Sequence, residues 1–307
     1  MDRFAPVTRV PYAYMAMRAA LHVFFALALA GSSAFPQVFT FTRDQMIEYT
    51  SANPYGRFPD GRPNVPDAVL EKVKGLSVEE VWAVLPEFGY RNQYEGNWVI
   101  LHPERKLVGR AVTAQFMPAR PDVEHVAEAK AVSGGHGRNA NQRVIDMLQN
   151  GDVVVVDMFG KVEDGTFVGD NLATAIYAAT KTGMVIDGGV RDLEGIVPLD
   201  MASYIRGAHP TPIRGVMLTG VNIPIRIGAA TVMPGDVVFG DREGVYFIPP
   251  ELVGKVVERA EETHIHDKWT KAKLLTGKYK SSDLYPRPHD PALIKDYEDY
   301  KRSKLGQ

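Results

Sequence analysis

"GDNLATAIYAATKTGMVIDGG", residues 169–189, contains a helix, its stop and the strand that follows, and it sets the reading of the whole chain. Asp170 and Asn171 are residue types that begin helices, and the alanine-rich run after them suits a helix interior. Gly183 is the expected stop, and Met184-Val185-Ile186 then reads as a buried strand ending in an Asp-Gly-Gly turn. The same grammar stands upstream. "NANQRVIDMLQNGD" (139–152) suits a helix closed by Gly151, and "GDVVVVD" (151–157) is a continuous β-branched run, the mark of a strand covered on both faces. "WVILHPERKLVGRAVTAQFMP" (98–118) reads as two strands around a His-Pro-Glu-Arg turn. Downstream come short strands in "IRGVMLTG" and "IPIRIG", and then "PGDVVFGDREGVYFIP" (234–249), whose Gly-Asp-Val-Val repeats the start of the 151–157 strand. Strands alternate with helices, yet several strands adjoin directly. The expectation is an α/β domain with mixed, layered sheets and too few crossover helices for a regular doubly wound fold.

Around this centre, residues 95–250 read as the α/β domain and 35–94 as an accessory segment, with the connector "NPYGRFPDGRPNVPD" and helical spacing over 67–85. Residues 251–307 read as a C-terminal helix and polar tail. At the other end, "AALHVFFALALA" (19–30) follows Arg3, Arg9 and Arg18 and precedes "GSSAF", which is the order of a secretory signal with a cut after Ala34. Residues 1–34 are therefore expected to be a signal peptide, leaving no stable membrane span after cleavage and an exported (periplasmic or secreted) product. The alternative is an uncleaved N-terminal helix that packs on the domain or anchors it to a membrane, with the protein cytoplasmic.

Composition narrows the partners. The chain has 307 residues, 45% of them hydrophobic, which is enough for a packed core. A formal charge of −2 and a pI near 6.5 provide no basic field for nucleic acid. The absence of cysteine excludes disulfides, thiolate metal sites and a cysteine nucleophile.

Two short stretches carry candidate chemistry. Gly169-Asp170-Asn171-Leu172 at a helix start exposes backbone N–H groups where the helix dipole favours a carboxylate or phosphate, although Asp and Asn are also ordinary caps. Arg191-Asp192 sets a planar fork suited to a carboxylate beside a hard oxygen suited to a divalent cation. Extended backbone would point these neighbours apart, toward different partners. The plainer alternative pairs Arg191 with Asp187 or Glu194 and uses Asp192 as a helix cap. His264-Ile265-His266 splays its rings and reads as a solvated face, and "SGGHGRN" (133–139), with His136, reads as a loop without the ending of a P-loop. Lys161 and Lys181 stand in polar surroundings unlike those of a Schiff-base lysine.

Taken together, "GDVVVVD", "GDNLATAIYAATKTGMVIDGGVRD" and "PIRIGAATVMPGDVVFGDREGVYFIP" resemble the RraA-like family over about residues 95–250. That family includes metal-dependent 4-hydroxy-4-methyl-2-oxoglutarate and 4-carboxy-4-hydroxy-2-oxoadipate aldolases, regulators of ribonuclease E, and proteins labelled demethylmenaquinone methyltransferase. The resemblance implies a swivelling ββα-type layered domain with helical extensions, assembled as a homotrimer or hexamer with sites at subunit interfaces. It implies that Gly169, Asp170, Asn171 and Leu172 supply donors to the carboxylate of a small 2-oxo acid, that Arg191 binds the same substrate, and that Asp192 holds Mg2+ or Mn2+. The chemistry implied is a class II pyruvate aldolase, cleaving a 4-hydroxy-2-oxo acid or decarboxylating oxaloacetate through an enolate. A non-catalytic regulatory binding protein is the alternative. Methyl transfer is disfavoured because no glycine-rich nucleotide loop follows an early strand.

Overall fold

Four consecutive valines form the centre of the molecule. In the strand Asp152–Lys161, Val154 and Val156 face one core cluster while Val153 and Val155 face another, and all four are fully buried. Side chains alternate across a strand, so an unbroken apolar run demands cover on both sides. The computed structural model describes residues 39–133, 137 and 139–306; the expected signal segment and His136 lie outside the described residues.

Nine strands make the main sheet among the described residues. They are β1 Tyr94–Glu95, β2 Val99–Leu101, β3 Leu107–Pro118, β4 Asp152–Lys161, β5 Gly183–Val190, β6 Ala202–Ala208, β7 Val216–Val221, β8 Val237–Gly240 and β9 Val245–Ile248. Their order is β1-β9-β8-β3-β4-β5-β6-β2, and β7 pairs with the far half of β3. From β3 to β6 the pairing is parallel; the outer pairs and β7 are antiparallel. The mixed sheet expected from the sequence is present. The two strands flanking the His102 turn do not pair with each other, because β2 closes the sheet against β6 and three strands lie between β2 and β3.

Connections between the parallel strands carry the helices Ala140–Ile145, Asp170–Thr180 and Leu193–Ile196, and all three contribute to the same core cluster. The strand order never reverses along β3 to β6, so these helices cover a single face. The opposite face is covered by the small hairpin Ile225–Ile227 and Ala230–Val232, whose Ile225, Ile227 and Val232 pack on Val153, Val155 and Val185. The Asp170–Thr180 helix stops earlier than its glycine suggests: Lys181 takes the left-handed cap at φ 58°, and its N–H bonds the Tyr177 carbonyl. Gly183 serves the strand instead, since a Cβ there would overlap the Ala202 carbonyl oxygen.

A third cluster joins the sequence ends to the sheet. Leu70, Val73 and Val81 from the helices Asp67–Lys74 and Val78–Trp82 pack with Phe239 and Ile248, and with Val253 and Val256 of the helix Pro250–Leu274. Arg62 anchors the segment before them through a fully buried pair with Asp152, N to O 2.7 Å. Past Ala260 the long helix turns to the C-terminal helix Pro291–Leu305, where Trp269 Nε1 donates to Asp296 at 2.6 Å and its ring lies 5.3 Å from Tyr297. The two histidines expected on a solvated face are engaged here. His264 meets Glu80 at 2.6 Å, and His266 packs edge-on to Tyr297 at 5.2 Å.

Candidate active site

The carboxyl ends of β4 and β5 are stitched together by the loop that leads into the Asp170–Thr180 helix. Phe167 N–H donates to the Gly189 carbonyl at 2.8 Å, and Arg191 N–H donates to the Val168 carbonyl at 2.9 Å. Beneath the loop, the buried Asn141 amide donates to the Phe167 carbonyl at 2.6 Å, and the Thr166 hydroxyl donates to the Thr211 carbonyl at 2.7 Å. The first satisfies a buried carbonyl that would otherwise be costly. The consequence is that Gly169 is pressed against Arg191 and Asp192.

Two glycines make that contact possible. Gly169 has an ordinary extended backbone, φ −109°, so its glycine is required for space. A Cβ there would overlap Asp192 Oδ2 and lie 3.0 Å from Arg191 Cζ. Gly195 has the matching role across the short helix, where a Cβ would lie 2.5 Å from Asp170 Cβ and 2.7 Å from its Oδ2. Asp170 and Asp192 therefore flank the Leu193–Ile196 turn.

Arg191 and Asp192 do not serve separate partners, as extended geometry suggests. Arg191 Nη1 donates to Asp192 Oδ2 at 2.6 Å. The reason is the backbone: Asp192 is left-handed, φ 58° and ψ 45°, which swings its carboxylate back toward its neighbour. Asp tolerates this region better than most residues, though at some cost. Asp192 does stand at the N-cap of Leu193–Ile196, without a side-chain capping bond. Asp187 is unavailable to Arg191, because it accepts from Arg206 at 2.6 Å, and Arg206 also stacks over Trp98 at 3.8 Å on the other side of the sheet.

With Arg191 and Asp192 37% and 39% exposed, their pair contributes about 0–1 kcal/mol and can be exchanged for a ligand. Arg191, Gly169, Asn171 and Leu172 line a cavity of ≈ 370 Å³, together with Gln142 and Ile213. Within the first helical turn, the Asn171 N–H is taken by Asp170 Oδ1 at 2.7 Å, whereas the N–H groups of Asp170 and Leu172 precede any intrahelical acceptor. These donors and the Arg191 fork are of the type that binds a carboxylate. A cavity of ≈ 470 Å³ at the amino ends of the parallel strands is charged too, but there Arg105 pairs with Asp200 and Arg110 with Asp67.

The donor set also fits a hard divalent cation. Asp192 and Asp170 present carboxylate oxygens at a solvent-open edge, and no group of three ligating side chains occurs among the described residues. Mg2+ commonly uses one or two carboxylates and keeps several waters, which such an edge allows. Gly169, Asp170, Asn171, Leu172, Arg191 and Asp192 are thus brought together. Asn141, Gly195 and Ile213 belong with them, and sequence reading missed all three.

A family model described as RraA-like, Aldolase/RraA, matches residues 63–247, more than half of the chain. A Hahella chejuensis protein named "Putative 4-hydroxy-4-methyl-2-oxoglutarate aldolase" is 34% identical over 158 residues, 46% of this chain and 94% of that protein. One of the same name from Halalkalibacterium halodurans is 26% identical over 157 residues, 51% of this chain and 74% of that protein. Among solved structures, Streptomyces coelicolor RraAS2, described as an unusual member of the RNase ES inhibitor RraA family, aligns with TM-score 0.58 and 26% identity. The alignment covers 72% of this chain and 98% of RraAS2.

Proposed function

The chain belongs to the RraA-like family, and from that premise we propose that it is a carbon–carbon lyase acting on a small 4-hydroxy-2-oxo acid, or decarboxylating oxaloacetate. The relatives named as aldolases support this reading. The observation that carries it is the contact of Gly169 with Arg191 and Asp192, which sets a helix N-terminus and a guanidinium on one small cavity and the Asp192 carboxylate against the same helix start.

Substrate binding begins with its carboxylate, which takes the N–H groups of Asp170 and Leu172 and the fork of Arg191. Arg191 must first release Asp192, a small cost for a half-exposed pair. The freed Asp192 carboxylate, with Asp170 beside it, would hold Mg2+ or Mn2+. A cation held there would supply positive charge to offset the negative charge that gathers on the 2-oxo oxygen as the C3–C4 bond breaks. The Arg191 guanidinium adds its own positive charge to the same oxygen-rich end of the enolate. The 4-hydroxyl gives up its proton as the departing fragment becomes a carbonyl compound, and the enolate regains a proton at C3 to become pyruvate. Loss of carbon dioxide from oxaloacetate leaves the same enolate. The exposed edge of Arg191 and Asp192 suits closure by a neighbouring subunit of a trimer.

Pyruvate release from 4-hydroxy-4-methyl-2-oxoglutarate and from oxaloacetate, with Mg2+ or Mn2+ added, tests the proposal. Silence on both and on related 2-oxo acids, with either cation, would overturn it. A second reading, a regulatory binding protein, rests on the likeness to RraAS2. It gains if a stoichiometric partner is captured equally by the protein and by Arg191→Ala while every lyase assay stays silent.

A further inference from the structure

A second cavity, of ≈ 300 Å³, shares no lining residue with the Arg191 site. It lies between the segment after the helix Arg43–Tyr49 and the start of the helix Pro250–Leu274. Its walls include the rings of Tyr49 and Tyr90 and the thioether of Met233, and its acids are Asp236 and Glu251. Tyr49 is held in place by stacking on Phe41 at 5.0 Å, and the Tyr90 hydroxyl donates to Glu251 Oε1 at 2.6 Å.

Asp236 is the unusual member. It is 3% exposed, and its carboxyl receives one donor, the Met233 N–H at 2.8 Å. A carboxylate has room for several donors, and buried charges are ordinarily paired. Nearby donors are committed elsewhere. Gln93 Nε2 donates to the carbonyls of Thr231 and Phe247, and Arg57 donates to the Thr50 carbonyl and hydroxyl and to the Gly61 carbonyl. None of the lining residues is Lys, Arg or His. A metal ion is a poorer match, since two of the walls are aromatic. Acids at one end and rings along the sides suit a different cation.

We propose that this cavity binds a small organic ammonium ion, with the Asp236 and Glu251 carboxylates as its counter-charges and the Tyr49 and Tyr90 rings as its walls. Its volume is at the lower end of small-molecule sites, which limits the ligand to a compact amine. Burial and the nearby Glu251 charge lift Asp236 to about 7, as expected for an acid waiting for a cation.

Calorimetric titration of the full chain at about pH 8, where Asp236 is largely ionised, tests this with choline, n-butylamine and 3,3-dimethylbutan-1-ol, the uncharged isostere of choline. At least one of the two ammonium compounds binds and the alcohol does not. Asp236→Asn weakens binding about tenfold or more, and Glu251→Gln weakens it by a smaller factor. Glu251→Gln leaves pyruvate formation unchanged. The proposal is overturned if neither ammonium compound binds at about 10 mM, if the alcohol binds as well as choline, or if neither variant shifts the affinity. Should Asp236→Asn fail to fold, Glu251→Gln and the isostere still decide.

Discussion

Asp192 Oδ2 occupies the space that a side chain at Gly169 would need. The backbone at Gly169 suits any residue, so Gly169→Ala tests the contact without forcing a strained conformation. The added methyl displaces Arg191 and Asp192 from the helix start. A shift of about 1 Å in a positioning group can lower rate by about 100-fold, and a loss of that order in kcat/KM for pyruvate release is expected. Urea melts should change little by comparison, and wild-type activity in the alanine variant would remove the contact from the mechanism.

Arg191→Lys separates charge from shape. Lysine keeps the positive charge but loses the planar fork that can hold a carboxylate through two parallel bonds. The expected result is a KM for the 2-oxo acid raised about tenfold, with kcat lowered as well, because the same group faces the enolate. An unchanged KM would mean that the carboxylate is held by the helix N-terminus alone.

Asp192→Asn removes the charge that attracts a cation while preserving size. Mn2+ titration should show binding to the wild type and a loss of about tenfold or more in the variant. Chelation of the wild type should abolish pyruvate release, with Mg2+ or Mn2+ restoring it. Full activity in excess chelator would exclude the metal-dependent form of the proposal.

Features that depend on nearest neighbours along the chain were legible in the sequence. The valines at 153–156 require two covered faces whatever surrounds them, and the alanine-rich run at 172–180 prefers a helix on local grounds. Features set by distant contacts were not. The left-handed turn of Asp192 that returns its carboxylate to Arg191 is fixed by the bond that Arg191 N–H donates to the Val168 carbonyl and by the packing of Asp170 on Gly195. Helix termination fell to Lys181 because Gly183 was already needed beside Ala202, a strand partner remote in sequence. Asn141 entered the site through a carbonyl at Phe167, a contact that no local pattern announces.

Arg62 is a test of how firmly the N-terminal segment is tied to the sheet. Its guanidinium lies against Asp152 with both groups buried, and its Nη1 also donates to the Ala111 carbonyl at 3.3 Å. Arg62→Ala leaves Asp152 charged and enclosed, which for buried pairs costs about 3–5 kcal/mol. Arg62→Met with Asp152→Asn should recover part of that loss, since the unpaired charge is gone while Asn can still accept from the Gln149 N–H. Urea unfolding of both variants measures the difference; equal stabilities would show that the charge itself is not what destabilises Arg62→Ala.

Asp236 gives the protein a pH dependence of definite sign. Its folded-state value is raised from 3.8 to about 7, chiefly by burial. Between these values the native protein keeps a proton that the unfolded chain has released, so stability falls as pH rises. The favourable contribution is complete below about pH 4 and lost once pH passes about 7, a span on the order of 4 kcal/mol for this group alone. Asp236→Asn cannot titrate at this position. The difference in unfolding free energy, wild type minus variant, should therefore decline from about pH 4 to about pH 8 and then level. A difference that stays flat over that range would mean Asp236 ionises at an ordinary pH. Choline at saturating concentration should flatten the decline, because a bound cation stabilises the ionised carboxylate at the upper end of the range.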